Sequence, residues 1–343
     1  MALFVGKRVA WLALAASWLV LAGAWVGNAP IANSRQPPIG PELTPRLKIA
    51  FVSNRGHYWY PHVFLYEHDG ISHGRVAGSI DPRDQRLDHH PALSADGMLC
   101  VFGSEQEAQV GTVQAWDLRS NSRLDWGDFA KTPNAIFSPS LSANGQWLVF
   151  STWNRPGRSS RWDLGLFDVT AKQLVELPGV NTAGNDERRA CISGNGQWIA
   201  FTSNSPDGKG LTDVRLYQRG AENVLTLPEI NSPASDTFPS LDDDGRLICL
   251  ASDRDGGLGG FDIYLFDRDA GKFVDLPGLN SPGHEQSPSL SADGRFISFV
   301  SERLESEGEH DIFVYDRTLG KLLPTPGLNT DRDDYDPCLI VLK

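Results

Sequence analysis

The sequence contains no Cys-x-x-Cys pair, and its four cysteines, Cys100, Cys191, Cys249 and Cys338, stand far apart. That spacing gives no support to a zinc ribbon or a thioredoxin-like redox motif. Each cysteine falls in a strand pattern, and Cys100 takes a slot that Ile or Leu fills elsewhere. All four are therefore read as small hydrophobes rather than as a disulfide framework. Cations are also scarce: 31 Lys and Arg stand against 43 Asp and Glu, a formal charge of -12. This argues against a nucleic-acid partner, because neutralising phosphates takes clustered Lys and Arg. Helix-period runs are missing from the repeated segments described below, which excludes a helical solenoid. Turn formers are abundant instead. The 34 glycines and 22 prolines suit many short strands joined by tight turns.

The one long apolar run is N-terminal. Lys7 and Arg8 precede the uncharged segment 9–26, VAWLALAASWLVLAGAWV. As a signal peptide, residues 1–26 have a basic start at 1–8, an apolar run at 9–21 and a small-x-small site at Ala22-Gly23-Ala24. As a membrane anchor, all of 9–26 is used, close to the shortest length that spans a bilayer. Both readings leave the basic residues inside and export the rest, so a periplasmic or other extracytoplasmic location is expected, secreted or anchored. No cysteine follows Ala24, so a lipoprotein is not expected. Residues 27–46, rich in Pro and polar residues, read as an extended linker.

Beyond the linker the chain repeats itself. An Asp-Gly or Asn-Gly turn places glycine at Gly97, Gly145, Gly196, Gly245 and Gly294, at intervals of 48, 51, 49 and 49 residues. A period near fifty is a repeat architecture. Each copy opens with a short strand such as PSLS and passes the turn, where both central residues are expected at positive φ. A strand with apolar residues two apart follows, as in Ile297 and Phe299 or Ile248 and Leu250. After a variable loop comes a third strand, DIFVYD at 311–316 or DIYLFD at 262–267, then a fourth that runs into LPGLNS.

Four antiparallel strands make one blade of a β-propeller. Five units start at Pro91, Pro139, Ala190, Pro239 and Pro288. LKIAFVSN at 47–54 supplies the second strand of another blade that lacks its first, and DPCLIVLK at 336–343 supplies the missing one. The expected fold is all-β: a six-bladed propeller over 47–343, closed by pairing the N- and C-terminal strands, preceded by the export segment. Closure removes edges that would otherwise stay unpaired.

PSLSADGRFISFVSE…DIFVYDR and SDRDGGLGGFDIYLFDRDAGKFVDLPGLN resemble the repeat of the TolB-type β-propellers, and the resemblance covers about residues 47–343. The resemblance implies an exported propeller that binds other envelope proteins, including a peptidoglycan-associated lipoprotein. The α/β domain that precedes the propeller in TolB has no counterpart expected here, where the linker 27–46 stands. Related repeats form the lid of prolyl oligopeptidases and some pectate-fragment lyases. A peptidase is not expected, since no hydrolase domain or nucleophile elbow accompanies the repeats.

Candidate functional residues fall on the face that carries the lead-in to each first strand and the loop between strands two and three. Three residues before the Pro position stand Asp88, Glu187, Asp236, Glu285 and Asp334, with Ile136 in the third blade. These acids either accept backbone hydrogen bonds between blades or ring the channel mouth, where Asp236, Glu285 and Asp334 would hold Ca²⁺ or a cationic peptide. Tyr58, Trp59, Trp153 and Arg158 are of types enriched at binding hot spots and suited to sugar stacking, or else pack over strand ends. His89-His90 lacks a converging partner for catalysis. The aspartates Asp163, Asp213, Asp262 and Asp311 are expected to tie neighbouring strands. The expected function is a non-enzymatic, monomeric binding module of the cell envelope, a scaffold or transport-related component engaging a protein or peptide. The alternative is an exported glycosidase or lyase acting on carbohydrate.

Overall fold

The computed structural model describes residues 45–342, except 56–59, 70–73, 81–85, 107–108, 128–134 and 154–160. The export segment and nearly all of the linker lie outside these residues, as do Tyr58, Trp59 and Arg158. Among the described residues, no helix is long and apolar enough to cross a membrane.

Six four-stranded antiparallel sheets follow one another around the ring. The sheet of the first blade takes its inner strand from the far end of the chain: Asp334–Leu342 pairs antiparallel with Arg46–Ser53, Leu47 facing Val341 and Ile49 facing Leu339. The inner strands of blades 2 to 6 are Arg86–Leu93, Ala135–Leu141, Glu187–Ile192, Asp236–Leu241 and Glu285–Leu290. Blade count and closure are as the repeat implies.

Second strands differ from the expected one-sided burial. Leu247–Ser252 and Phe296–Ser301 are buried along their whole length. The reason is blade-on-blade stacking, which covers both faces of a sheet. One apolar cluster joins Leu247, Cys249 and Ala251 of blade 5 to Leu290, Ile297 and Phe299 of blade 6. Another joins Phe296, Ile312 and Val314 of blade 6 to Ile49, Phe51 and Tyr66 of blade 1. Burial of this kind, at roughly 25 cal/mol per Å² of apolar surface, is the main force holding the ring. The four cysteines are free, and Cys100 and Cys249 are fully buried in this packing.

The hairpin turn also differs from expectation. Gly145 has a φ of 72°, but Asn144 is not left-handed. Instead Ser142 Oγ donates to Asn144 Oδ1 at 2.8 Å, and that oxygen accepts the Gln146 amide at 3.0 Å. The side-chain bonds hold the turn, so one glycine suffices. The Asn that ends each Pro-x-x-Asn segment after a fourth strand does a different job. Asn181, Asn231, Asn280 and Asn329 each clasp the backbone N–H and C=O of one third-strand residue, at 2.7–3.0 Å.

Gly70-Ile71-Ser72-His73-Gly74 does spell Gly-x-Ser-x-Gly. It joins His62–His68 to Gly74–Val76, which are antiparallel partners. A nucleophile elbow joins a strand to a helix, so this context is not one.

Candidate functional site at the channel mouth

Every blade carries the same irregularity. The pairing of inner and second strands shifts at His89/Ala92, Phe137/Ser140, Arg188/Cys191, Thr237/Ser240 and Gln286/Ser289, and in blade 1 across Ala50/Val52. At each bulge one residue is left-handed: His90, Ser138, Arg189, Phe238, Ser287 and Asp336, with φ between 47° and 53°. Holding a non-glycine residue there costs about 1–3 kcal/mol. Five of the six precede proline, and Arg189 precedes Ala190. All six gather with their following residues around one cavity of about 140 Å³.

The ring is chemically uneven. The His90 amide donates to Asp336 Oδ2 at 3.2 Å, and His90 Nδ1 lies 3.5 Å from the same oxygen. Desolvation in the channel holds the His90 imidazole below its ordinary value, while Asp336 pulls it upward. The Arg189 guanidinium sits 3.7 Å from the centre of the Phe238 ring and donates to Thr237 Oγ1 at 3.1 Å. Burial lowers Arg189 to about 10. Ser138 and Ser287 complete the ring with hydroxyls. The mouth thus offers a cation, an anion, an imidazole, an aromatic face and two hydroxyls. That is a set for gripping a polar chain. A glycosidase pair needs two carboxyl groups flanking the bond, roughly 5–9.5 Å apart, and the mouth residues supply one, Asp336.

Trp153 lies outward of this ring. The His89 ring stacks on Phe137 at 5.4 Å, Phe137 meets Trp162 edge-on at 5.1 Å, and Trp162 meets Trp153 at 4.8 Å. Trp153 is therefore half-buried in an aromatic row between blades 2 and 3.

The five lead-in acids are buried, each at 2% exposure or less. Each takes its own donors. Asp236 accepts Ser232 N–H at 2.6 Å, Ser232 Oγ at 2.9 Å and Arg254 Nη2 at 2.5 Å. Asp334 accepts Thr330 N–H at 2.8 Å and Arg55 Nη2 at 2.7 Å. Glu285 accepts Ser281 N–H at 2.9 Å and Ser301 Oγ at 2.7 Å, with Arg303 Nη2 at 3.6 Å. The arginine of each Ser-x-Arg segment folds back onto its acid. Asp88 has His62 Nδ1 at 3.2 Å and Ser104 Oγ at 2.7 Å instead. Glu187 has only Thr182 and Ser203, and burial raises it to about 7.

The expected convergence of Asp236, Glu285 and Asp334 on one cation is thus not what the structure shows. Among the described residues, the one His/Cys/Asp/Glu group within common ligand reach is Glu309, His310 and Asp333. There His310 Nδ1 is 3.1 Å from Asp333 and Nε2 is 3.4 Å from Glu302, ordinary ion-pair contacts. The third-strand aspartates differ too. Asp213 and Asp262 accept amides of their own preceding loops, Lys209 at 3.1 Å and Leu258 at 2.9 Å, rather than tying strands together.

The sequence matches no known family profile and no curated protein. Solved structures are informative. TolB from Acinetobacter baumannii superposes with a TM-score of 0.61 at 17% identity, over 87% of this chain and 67% of that one. The fold is the TolB-type six-bladed propeller. A putative TolB from Agrobacterium tumefaciens gives a TM-score of 0.54 at 17% identity, over 87% of this chain and 99% of that one. An oligogalacturonate lyase from Vibrio parahaemolyticus gives 0.51 at 14% identity, over 80% and 73%. At such identities the likeness concerns architecture, and one architecture serves both a TolB and a lyase.

Of the mouth residues, only His90 stood out in the sequence, beside His89. The position just before each Pro or Ala190 reads His, Ser, Arg, Phe, Ser and Asp, and the residue before it varies as freely, while the acid two residues earlier and the Pro that follows mostly recur.

Proposed function

We propose that this protein is a non-enzymatic binding module of the cell envelope whose channel mouth grips an extended segment of a partner protein. One observation carries the reading: six strained positions share a backbone conformation yet carry five kinds of side chain, and they meet in one cavity. Strain maintained sixfold, with chemistry varied around the ring, fits a recognition ring better than a structural repeat. The basic and apolar start of the chain supports placement outside the cytoplasm. Envelopes carrying tagged protein, crosslinked and purified, should yield a discrete partner. Arg189→Ala with Asp336→Asn should lose it while leaving the melting temperature near that of the parent. Retention of the partner by that variant contradicts the assignment to the mouth.

A further inference from the structure

The three most exposed large apolar side chains among the described residues are Leu304 at 101%, Leu211 at 77% and Leu258 at 67%. The others in that class reach 41–52%. One exposed leucine needs no explanation. These three, however, sit one each in the loops between second and third strands of blades 4, 5 and 6, three successive blades on the mouth side of the propeller.

The loops are tightly held. Asp262 accepts the amides of Leu258 at 2.9 Å and Gly259 at 3.5 Å, and Asp213 accepts those of Lys209 and Gly210 at 3.1 and 3.4 Å. Asp311 does the same for Glu307 and Gly308. Each loop also packs on the lead-in to the next blade. The Leu211 amide donates to Ala234 O at 3.2 Å, and the Gly260 amide to Gly283 O at 3.3 Å. A Cβ at Gly259 would fall 1.7 Å from Gly283 O, so the backbones touch there. Leucines on loops fixed in this way are displayed before any partner arrives, which lowers the ordering cost of binding.

The surrounding charge is one-sided. Asp253, Asp255, Glu305, Glu307, Glu309 and Asp331 are exposed around the leucines, against two exposed cations, Lys209 and Arg332. Arg254 and Arg303 are withdrawn onto Asp236 and Ser301.

We propose that the rim of blades 4 to 6 docks a basic amphipathic segment of a partner protein, its apolar side chains meeting Leu211, Leu258 and Leu304 and its Lys or Arg residues meeting the surrounding acids. The proposal rests on the reading of the propeller as a binding module and adds a second surface, with a stated chemistry, beside the channel mouth. Opposite charge speeds encounter and selects the partner, while leucine burial supplies affinity.

The probe is a labelled synthetic Leu/Lys amphipathic peptide, titrated with the full chain and followed by fluorescence anisotropy. Saturable binding that weakens as salt rises is expected. Leu211→Ser, Leu258→Ser and Leu304→Ser together should weaken it about tenfold or more without moving the melting temperature. Asp336→Asn with Arg189→Ala should leave it unchanged. Equal binding by a Leu/Glu peptide, or by the triple-serine variant, overturns the proposal. Loss of binding only in the mouth variant also overturns it, while leaving the mouth reading intact. Leucine-dependent association with phosphatidylglycerol vesicles, or leucine-dependent dimerisation in place of peptide binding, would reassign the rim to a lipid surface or a second copy.

Discussion

Arg55 Nη2 donates to Asp334 Oδ1 at 2.7 Å, joining two residues 279 positions apart in the chain. The same guanidinium reaches Leu328 O, and its Nε donates to Ser53 Oγ at 2.8 Å. The ring is therefore closed by an ion pair on a buried carboxylate as well as by the ladder between Arg46–Ser53 and Asp334–Leu342. Deleting 334–343 should abolish cooperative unfolding. Arg55→Ala should cost about 3–5 kcal/mol, because it strands a buried carboxylate. Adding Asp334→Asn to Arg55→Ala should recover part of that loss. Denaturant titrations of the Arg55→Ala, Asp334→Asn and double variants check this, and full additivity would show that the pair is not coupled.

Calcium distinguishes the two sequence readings of the lead-in acids. Asp236 and Asp334 already have cationic partners at 2.5 and 2.7 Å. Asp236→Asn, Glu285→Gln and Asp334→Asn together should lower the melting temperature by many degrees, and calcium chloride should leave the parent's melting temperature in place. A calcium-dependent rise, lost in the triple variant, would restore the cation site.

Blade 4 lacks this arginine. Ser205 stands where blades 1, 5 and 6 have Arg55, Arg254 and Arg303, and Glu187 is raised by burial from 4.5 to about 7. A carboxyl whose folded value lies above its unfolded one binds its proton more tightly when folded. Its penalty is full above pH 7 and is relieved as pH falls from 7 through 4.5. Asp242, raised from 3.8 to about 6, acts in the same direction. Glu187→Gln should flatten the pH dependence of stability between pH 5 and 8 and raise stability at pH 8. Ser205→Arg should lower the Glu187 value toward the ordinary carboxylate range. Melting curves across pH and a carboxyl-resolved NMR titration read the two effects, and an unchanged pH profile in Glu187→Gln contradicts the assignment.

Much of this architecture was legible in the chain. Asp293-Gly294 and its counterparts marked the hairpins, Ile297 and Phe299 the core slots, and Pro337 the closing strand. The acids were found but their circumstances were not. Arg254 and Asp236 lie 18 residues apart, and nothing local reveals that the arginine folds back from the end of its strand onto the start of the facing one. The mouth was hidden for another reason. Residues before proline favour extended backbone, so a left-handed φ at Ser138, Phe238 and Ser287 arises only from the bulge that the paired strand imposes.

That strain is testable on its own. Ser287→Val should destabilise by about 1–3 kcal/mol, since β-branched residues resist the left-handed region most. Ser287→Gly should be neutral or slightly stabilising, the relief of strain offsetting the greater freedom of the unfolded chain. Equal stability of the valine and parent proteins in urea would show that residue 287 is not held at its φ of 50°.

The most direct test of the mouth as the binding site is a photo-crosslinking residue placed at Ser287, at the mouth, or at Asp293, in the hairpin turn on the opposite face. In envelopes the probe at 287 should give a discrete crosslinked partner, and the probe at 293 should give none. A partner captured from 293 and not from 287 would contradict the account.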